Sequence, residues 1–244
     1  MPQLKTARSA GALPLFPKRY CSTAHLQFKK LAALLTKASP RIPIVDFVDY
    51  QQVPSLHVVW KSIESLGRIG VIARAVPECR TIIILRHPCG YIASVLKGED
   101  SNRFSASTAS GDDFPVFEML LRQSPHKERN PSLEEIKTLP MEERLAWRWV
   151  LYNEIARTGV SSLDHCLSVR YEDLCSDPLS KAREILSFAG LDWDRQVETF
   201  IHRSSNRYYS VYKDPLESAT KWQQQLPPLT VEPILRVVSR SELA

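Results

Sequence analysis

Long apolar runs are missing from this chain. In 244 residues no stretch approaches the roughly 20 consecutive apolar residues that a membrane-spanning helix needs. The first residues carry no signal-peptide core, so no membrane partner is expected. Cysteine is scarce and unpatterned: Cys21, Cys79, Cys89, Cys166 and Cys175 are odd in number, scattered and without CxxC spacing. That argues against a disulfide framework or a zinc site and for a reducing, cytoplasmic setting. No Lys/Arg run singles out nucleic acid. A G-x-x-x-x-G-K-S/T stretch is also missing, which disfavours a nucleotide kinase. With no internal repeat and no dividing linker, one domain is expected over residues 1–244, residues 1–25 being a poorly defined, coil-like N-terminal segment.

What is present suits a globular α/β protein. Hydrophobic residues make up 43% of the chain and charged residues 24%, with a net charge of +5. That excess favours an anionic ligand, although a solvated basic surface explains it equally well. Leu26 to Lys37 has helical periodicity, Ile42 to Val48 and Leu56 to Trp60 read as short strands, and Leu66 to Val76 reads as a helix stopped by Pro77. This strand–helix alternation is the rhythm of βαβ units and predicts a central parallel sheet. Further on, Glu99 to Asp113 and Ser124 to Pro131 read as loops, Phe114 to Arg122 and Pro140 to Arg157 as helices, and Cys166 to Val169 as a strand. Asp177 and Pro178 start a helix running to Ala189, where Gly190 suits a left-handed cap. Asp194 to His202 reads as another helix, and Thr230 as an N-cap for Val231 to Val238.

Arg80 to Gly98 organises the rest. Thr81 to Leu85, with three consecutive isoleucines, reads as a buried parallel strand. Pro88 then opens a helix in which Gly90 and Ser94 share one stripe. A guanidinium at a strand end, bare helix amides and a hydroxyl on the following helix converge on one crevice. Open α/β sheets bind ligands at that place, and helix N-termini favour anions. The expectation is a phosphate site.

These residues carry a resemblance. Arg86, His87 and Pro88, followed by Ser94 eight positions after Arg86, resemble the 3′-phosphate-binding segment of sulfotransferases. Those enzymes use 3′-phosphoadenosine-5′-phosphosulfate (PAPS). Val59 to Ser62 places Lys61 where the family carries a lysine ahead of this strand. Val169 to Leu174 (VRYEDL) is similar to the segment whose tyrosine sits near the adenine. Ser210 to Trp222 resembles the C-terminal loop of the bacterial and tyrosylprotein enzymes, where a lysine before a tryptophan reaches the nucleotide. The resemblance covers roughly residues 56 to 240. It implies a three-layer α/β sandwich of the P-loop nucleoside triphosphate hydrolase type, PAPS as sulfuryl donor, and a small-molecule, glycan or peptide acceptor, with a homodimer as a further expectation.

One departure stands out. The family's G-x-P-R/K-S-G-T-T loop, which cradles the 5′-phosphosulfate with backbone amides, has no counterpart. Pro17 to Thr23 (PKRYCST) offers Pro-Lys and Ser-Thr but no glycine. Family spacing puts that loop at or before Met1. The expectation is a chain lacking its first βα unit, or a divergent member.

The resemblance assigns roles. Arg86 and Ser94 take the 3′-phosphate, since a guanidinium can donate two parallel hydrogen bonds. Tyr171 contacts the adenine, Lys221 reaches the nucleotide, Lys61 stabilises charge on the bridging oxygen, and Ser205 binds the donor. Each has a plainer alternative: a solvated Arg86, Lys61 or Lys221, a half-buried Tyr171, a loop serine at 205. His57 and Glu64 are candidates for the base by position only, and no metal is required. The leading reading is a PAPS-dependent sulfotransferase acting on a hydroxyl or amine. The alternatives are a catalytically impaired or truncated nucleotide-binding relative, and a basic nucleic-acid-binding protein, which rests on charge alone.

Overall fold

The computed structural model describes residues 24, 27–28, 57–63, 65–101, 108–205 and 214–243. By compactness the chain divides into two units, Met1–Lys61 and Ser62–Ala244. In the first, residues 24, 27 and 28 are helical and 57–61 are coil. Of the expected helix at 26–37 only residues 27 and 28 are therefore seen. The expected strand at 42–48 and the Pro17 to Thr23 stretch lie outside the described residues.

The reading of Leu56 to Trp60 as a strand is corrected. Residues 57–60 run as coil, with Val59 85% and Trp60 67% exposed. An apolar, β-branched run becomes a strand only where a neighbour takes its amides and covers one face. Among the described residues none pairs with this run, and its side chains stand in solvent.

The second unit begins with a single 3-10 turn, Leu66–Arg68, that leads into α1 (Ile69–Ala75). Strand β1 (Thr81–Leu85) and helix α2 (Pro88–Asp100) follow as expected. Next come α3 (Phe114–Gln123), α4 (Leu133–Thr138) and the long α5 (Met141–Val160). Strand β2 (Cys166–Arg170) is followed at once by α6 (Tyr171–Ser176) and α7 (Pro178–Phe188). The unit closes with α8 (Arg195–Ser205), α9 (Pro215–Thr220), α10 (Trp222–Gln225) and α11 (Pro228–Val238).

Among the described residues the sheet has two strands, paired in parallel with Thr81 opposite Cys166 and Leu85 opposite Arg170. The structure thus carries the expected parallel α/β pairing, but helices dominate what is described. No described helix is long and apolar enough to cross a membrane.

Local chemistry explains the boundaries. Pro88 stands at the first helical position of α2, and His87 caps it: the Cys89 N–H donates to His87 Nδ1 at 3.2 Å. Gly190 takes φ +67° just past α7, the left-handed turn that costs glycine least. Ser132 and Glu135 form a reciprocal capping box at the start of α4. Its two bonds from Ser132 hold the Glu135 carboxyl below the usual range. The expected Thr230 cap is corrected: α11 starts at Pro228, because a proline at N1 has no amide to leave unpaired and a preset φ.

Helix α5 is the centre of the unit. Leu145, Ala146, Trp147, Trp149, Val150, Leu151 and Ala156 are all buried, around most of its circumference. It packs against α1, α2, α3 and α11, and Ile92, Phe117, Leu120, Leu145, Leu151 and Ile234 are fully removed from water. Each such side chain contributes about 1.5–3 kcal/mol of burial. Where α1 meets α5 the backbones touch: a Cβ on Gly70 would stand 2.6 Å from the Gly159 carbonyl oxygen. The carboxyl end of β1 is fixed to this core, with Leu85 packed against it and the Arg86 carbonyl accepting from Trp149.

Candidate functional site

Parallel pairing with Leu85 opposite Arg170 means that the next residue of each strand, Arg86 and Tyr171, leaves the same edge of the sheet. The two side chains meet there. The Arg86 guanidinium carbon lies 5.0 Å from the centroid of the Tyr171 ring, close enough for a cation–π contact. Helix α9 supplies a third wall, with Arg86 Nη2 donating to the Ser218 carbonyl oxygen at 3.2 Å. Arg86's own carbonyl accepts from Trp149 Nε1 at 3.0 Å, which ties the strand end to α5.

The Nε of Arg86 is buried and has no hydrogen-bond partner among the described residues. Leaving a buried donor of a charged group unpaired costs on the order of 1–3 kcal/mol or more. An anion arriving at this crevice would relieve that cost. Space is made by Gly90 on α2, where a Cβ would fall 3.1 Å from Arg86 Nε and 3.5 Å from Trp222 Cδ1. The guanidinium therefore occupies volume that any other residue at position 90 would contest.

His87 forms the adjoining wall. Its backbone N–H donates to Glu172 Oε1 at 3.0 Å, joining the two strand ends a second time. Its ring stacks on Trp222 with centroids 4.5 Å apart and planes 8° from parallel. Burial lowers the His87 pKa, Arg170 lowers it further, and Glu172 opposes them. A neutral imidazole is what the cap demands, since only an unprotonated Nδ1 accepts from Cys89.

Burial also raises the Tyr171 hydroxyl, with Cys175 adding to the shift while Arg86 and Ser218 oppose it. The Cys89 thiol is pushed up to about 11 by burial, so it is an inert core sulfur rather than a nucleophile. Among the described residues no cluster of His, Cys, Asp or Glu could hold a metal.

The residues expected from the sequence fall into two groups. Arg86 and Tyr171 are in contact, and Lys221 directly precedes the Trp222 that stacks on the Arg86 neighbour His87. Lys221 itself is half-buried at the junction of α9 and α10. Ser94 lies one helical turn beyond Gly90 on the same stripe of α2 and is exposed. Lys61 is exposed in coil and belongs to the other compact unit, so its expected position at a strand end is corrected. Ser205 is the last residue of α8 rather than a loop serine. His57 is exposed, and Glu64 lies outside the described residues.

Ser218, Trp149 and Glu172 were not singled out as contacts. The signal for Ser218 was present: Asp214 and Pro215 are an N-cap and a first-turn proline, and a helix starting there carries Ser218 toward Arg86. For Trp149 and Glu172 the sequence offers no signal, because their partners are 63 and 85 positions away.

A family model described as the sulfotransferase family matches residues 19–195. That span contains Lys61, Arg86, Ser94 and Tyr171, and ends before Ser205 and Lys221. Carbohydrate sulfotransferase 3 of Mus musculus is 43% identical over 65 residues, covering 24% of this chain and 14% of the relative. Carbohydrate sulfotransferase 3 of Tetronarce californica is 33% identical over 82 residues, covering 30% of this chain and 19% of the relative. Carbohydrate sulfotransferase 5 of Mus musculus is 34% identical over 68 residues, covering 24% and 17%. The alignments thus span less than a fifth of each relative's length. No solved structure matches. With most of its length matched by the family model, the chain belongs to the sulfotransferase family.

Proposed function

We propose that this chain takes a sulfuryl group from PAPS and delivers it to a hydroxyl, with a glycan as acceptor. The observation that carries the reading is Arg86. It is a part-buried guanidinium at a strand's carboxyl end, with its Nε unpaired and glycine-cleared space beside it. That donor set suits an anion such as a phosphate ester better than a neutral group, and the family points to the phosphate. The glycan choice leans on the relatives, whose names are carbohydrate sulfotransferases.

When bound, PAPS supplies an activated sulfuryl group whose bridging oxygen leaves with the nucleotide. Arg86 and the Ser94 hydroxyl would hold the 3′-phosphate, and Lys221 would hold the nucleotide from the C-terminal side. Lys61 and Ser205 rest on the resemblance alone, Lys61 as the cation for the bridging oxygen and Ser205 as a donor contact. By analogy with phosphoryl transfer, alignment and charge neutralisation carry most of such a reaction. The full three-layer sandwich, a single domain, a homodimer and a cytoplasmic setting belong to the same reading.

A second reading is a nucleotide-binding relative without transfer. The glycine-free Pro17 to Thr23 stretch favours it. Transfer of radioactive sulfate from labelled PAPS to a panel of glycans decides between the two. Label on a glycan supports the enzyme, and binding of the nucleotide with no label transferred supports the second reading.

A further inference from the structure

We infer that Tyr171 is a positioning residue for Arg86, so that the face of its ring, rather than any contact with adenine, sets the preference for a 3′-phosphate. This rests on the nucleotide-binding reading above and deepens it.

The geometry favours this over an adenine contact. Tyr171 starts α6 directly after β2, and the strand register delivers it beside Arg86. Its ring faces the guanidinium, with 5.0 Å from Cζ to centroid. The ring edge and hydroxyl turn toward Cys175 and Ser218, both on helices that wall the crevice. Arg86 is thereby held on three sides: the Tyr171 ring facing Cζ, the Ser218 carbonyl at Nη2, and the bare Cα of Gly90 near Nε.

Each hold does a different job. The carbonyl fixes one end of the fork, and Gly90 leaves room at the other. The aromatic face holds the guanidinium in the same place before and after an anion arrives. An arginine otherwise gives up rotamer freedom when it is ordered. A guanidinium already ordered loses less of that freedom when the phosphate arrives. A ring committed to the guanidinium in this way contributes to one part of the ligand only, the part that Arg86 touches.

That difference can be measured. The affinities of 3′-phosphoadenosine 5′-phosphate and of adenosine 5′-monophosphate would be compared by calorimetry. The proteins would be the full chain, Tyr171→Phe, and a form with pentafluorophenylalanine at the same position. The fluorinated ring keeps the shape but reverses the charge of the face, so it tests the contact without emptying the site. Tyr171→Phe should retain the preference for the bisphosphate. Fluorination should weaken the bisphosphate about tenfold and leave the monophosphate unchanged.

Equal weakening of both nucleotides would mean that the ring contacts adenine and would overturn the inference. So would a Phe variant as damaged as the fluorinated one, or a fluorinated form with full bisphosphate affinity. If the unaltered chain binds neither nucleotide, the nucleotide reading itself fails, which is a separate outcome.

Discussion

The imidazole of His87 lies flat on the indole of Trp222, with 4.5 Å between centroids and 8° between planes. The contact joins the strand–helix junction at Pro88 to a short helix far along the chain. It explains why a lysine beside that tryptophan belongs to the same neighbourhood as Arg86. A chain order that looks dispersed becomes one crevice through a single ring stack.

Trp222→Ala should therefore act on both stability and binding. A half-buried tryptophan packed on the core and on His87 is expected to contribute about 2 kcal/mol, less than the 3–5 kcal/mol of a fully buried one. For a unit of this size that lowers the Tm by roughly 4–8 °C. Calorimetric melting gives the first number. Titration with 3′-phosphoadenosine 5′-phosphate should show weaker binding as Lys221 loses its anchor.

Two glycines should behave in opposite ways when each is replaced by alanine. At Gly70 the new Cβ would meet the Gly159 carbonyl oxygen at 2.6 Å, backbone against backbone with no side chain to yield. Gly70→Ala should destabilise by about 1–3 kcal/mol in urea unfolding.

At Gly90 the Cβ would instead meet Arg86 Nε at 3.1 Å, the end of a movable side chain. Alanine gains about 1 kcal/mol of helix propensity over glycine, so stability should hold or rise. Displacing the guanidinium should cost about tenfold or more in bisphosphate affinity. Loss of stability without loss of binding would contradict the placement of Gly90.

The pH dependence follows from His87. Its pKa in the folded chain lies below the ordinary 6.5 of histidine, so the unfolded chain binds that proton more readily. The resulting stability is full above about pH 6.5 and is lost as pH falls through the lower folded value. The groups facing this ring are Glu172, Arg170 and Trp222. His87→Asn keeps an acceptor at the cap position but has nothing to titrate there. Urea unfolding from pH 7.5 to 5 should show a shallower acid-side decline in the variant, and identical slopes would remove His87 as the cause.

Much of the second unit was legible because its signals are local. Three isoleucines with Pro88 behind them mark β1 and α2, and Gly190 marks the end of α7. The capping box at Ser132 and Glu135 was equally local but went unread, and α4 with it. What local signals cannot convey is coverage. Val58 to Trp60 has strand-forming side chains, yet it runs as coil, and among the described residues no strand pairs with it. The same holds at the site. Arg86 and Ser94 were visible as a spacing, whereas the Tyr171 ring face and the Ser218 carbonyl depend on strand register and on α9 meeting α6. Register and helix packing are tertiary facts, so the contact between the Tyr171 ring and Arg86 has no signature in the local sequence.

The central claim is that Arg86 stands ready for a phosphate. Titration calorimetry of the full chain and of Arg86→Ala with 3′-phosphoadenosine 5′-phosphate tests it most directly, with melting curves to show that both are folded. Exothermic binding by the full chain, weakened at least about tenfold by the substitution, is the predicted result. Unchanged affinity in a folded Arg86→Ala variant would contradict it.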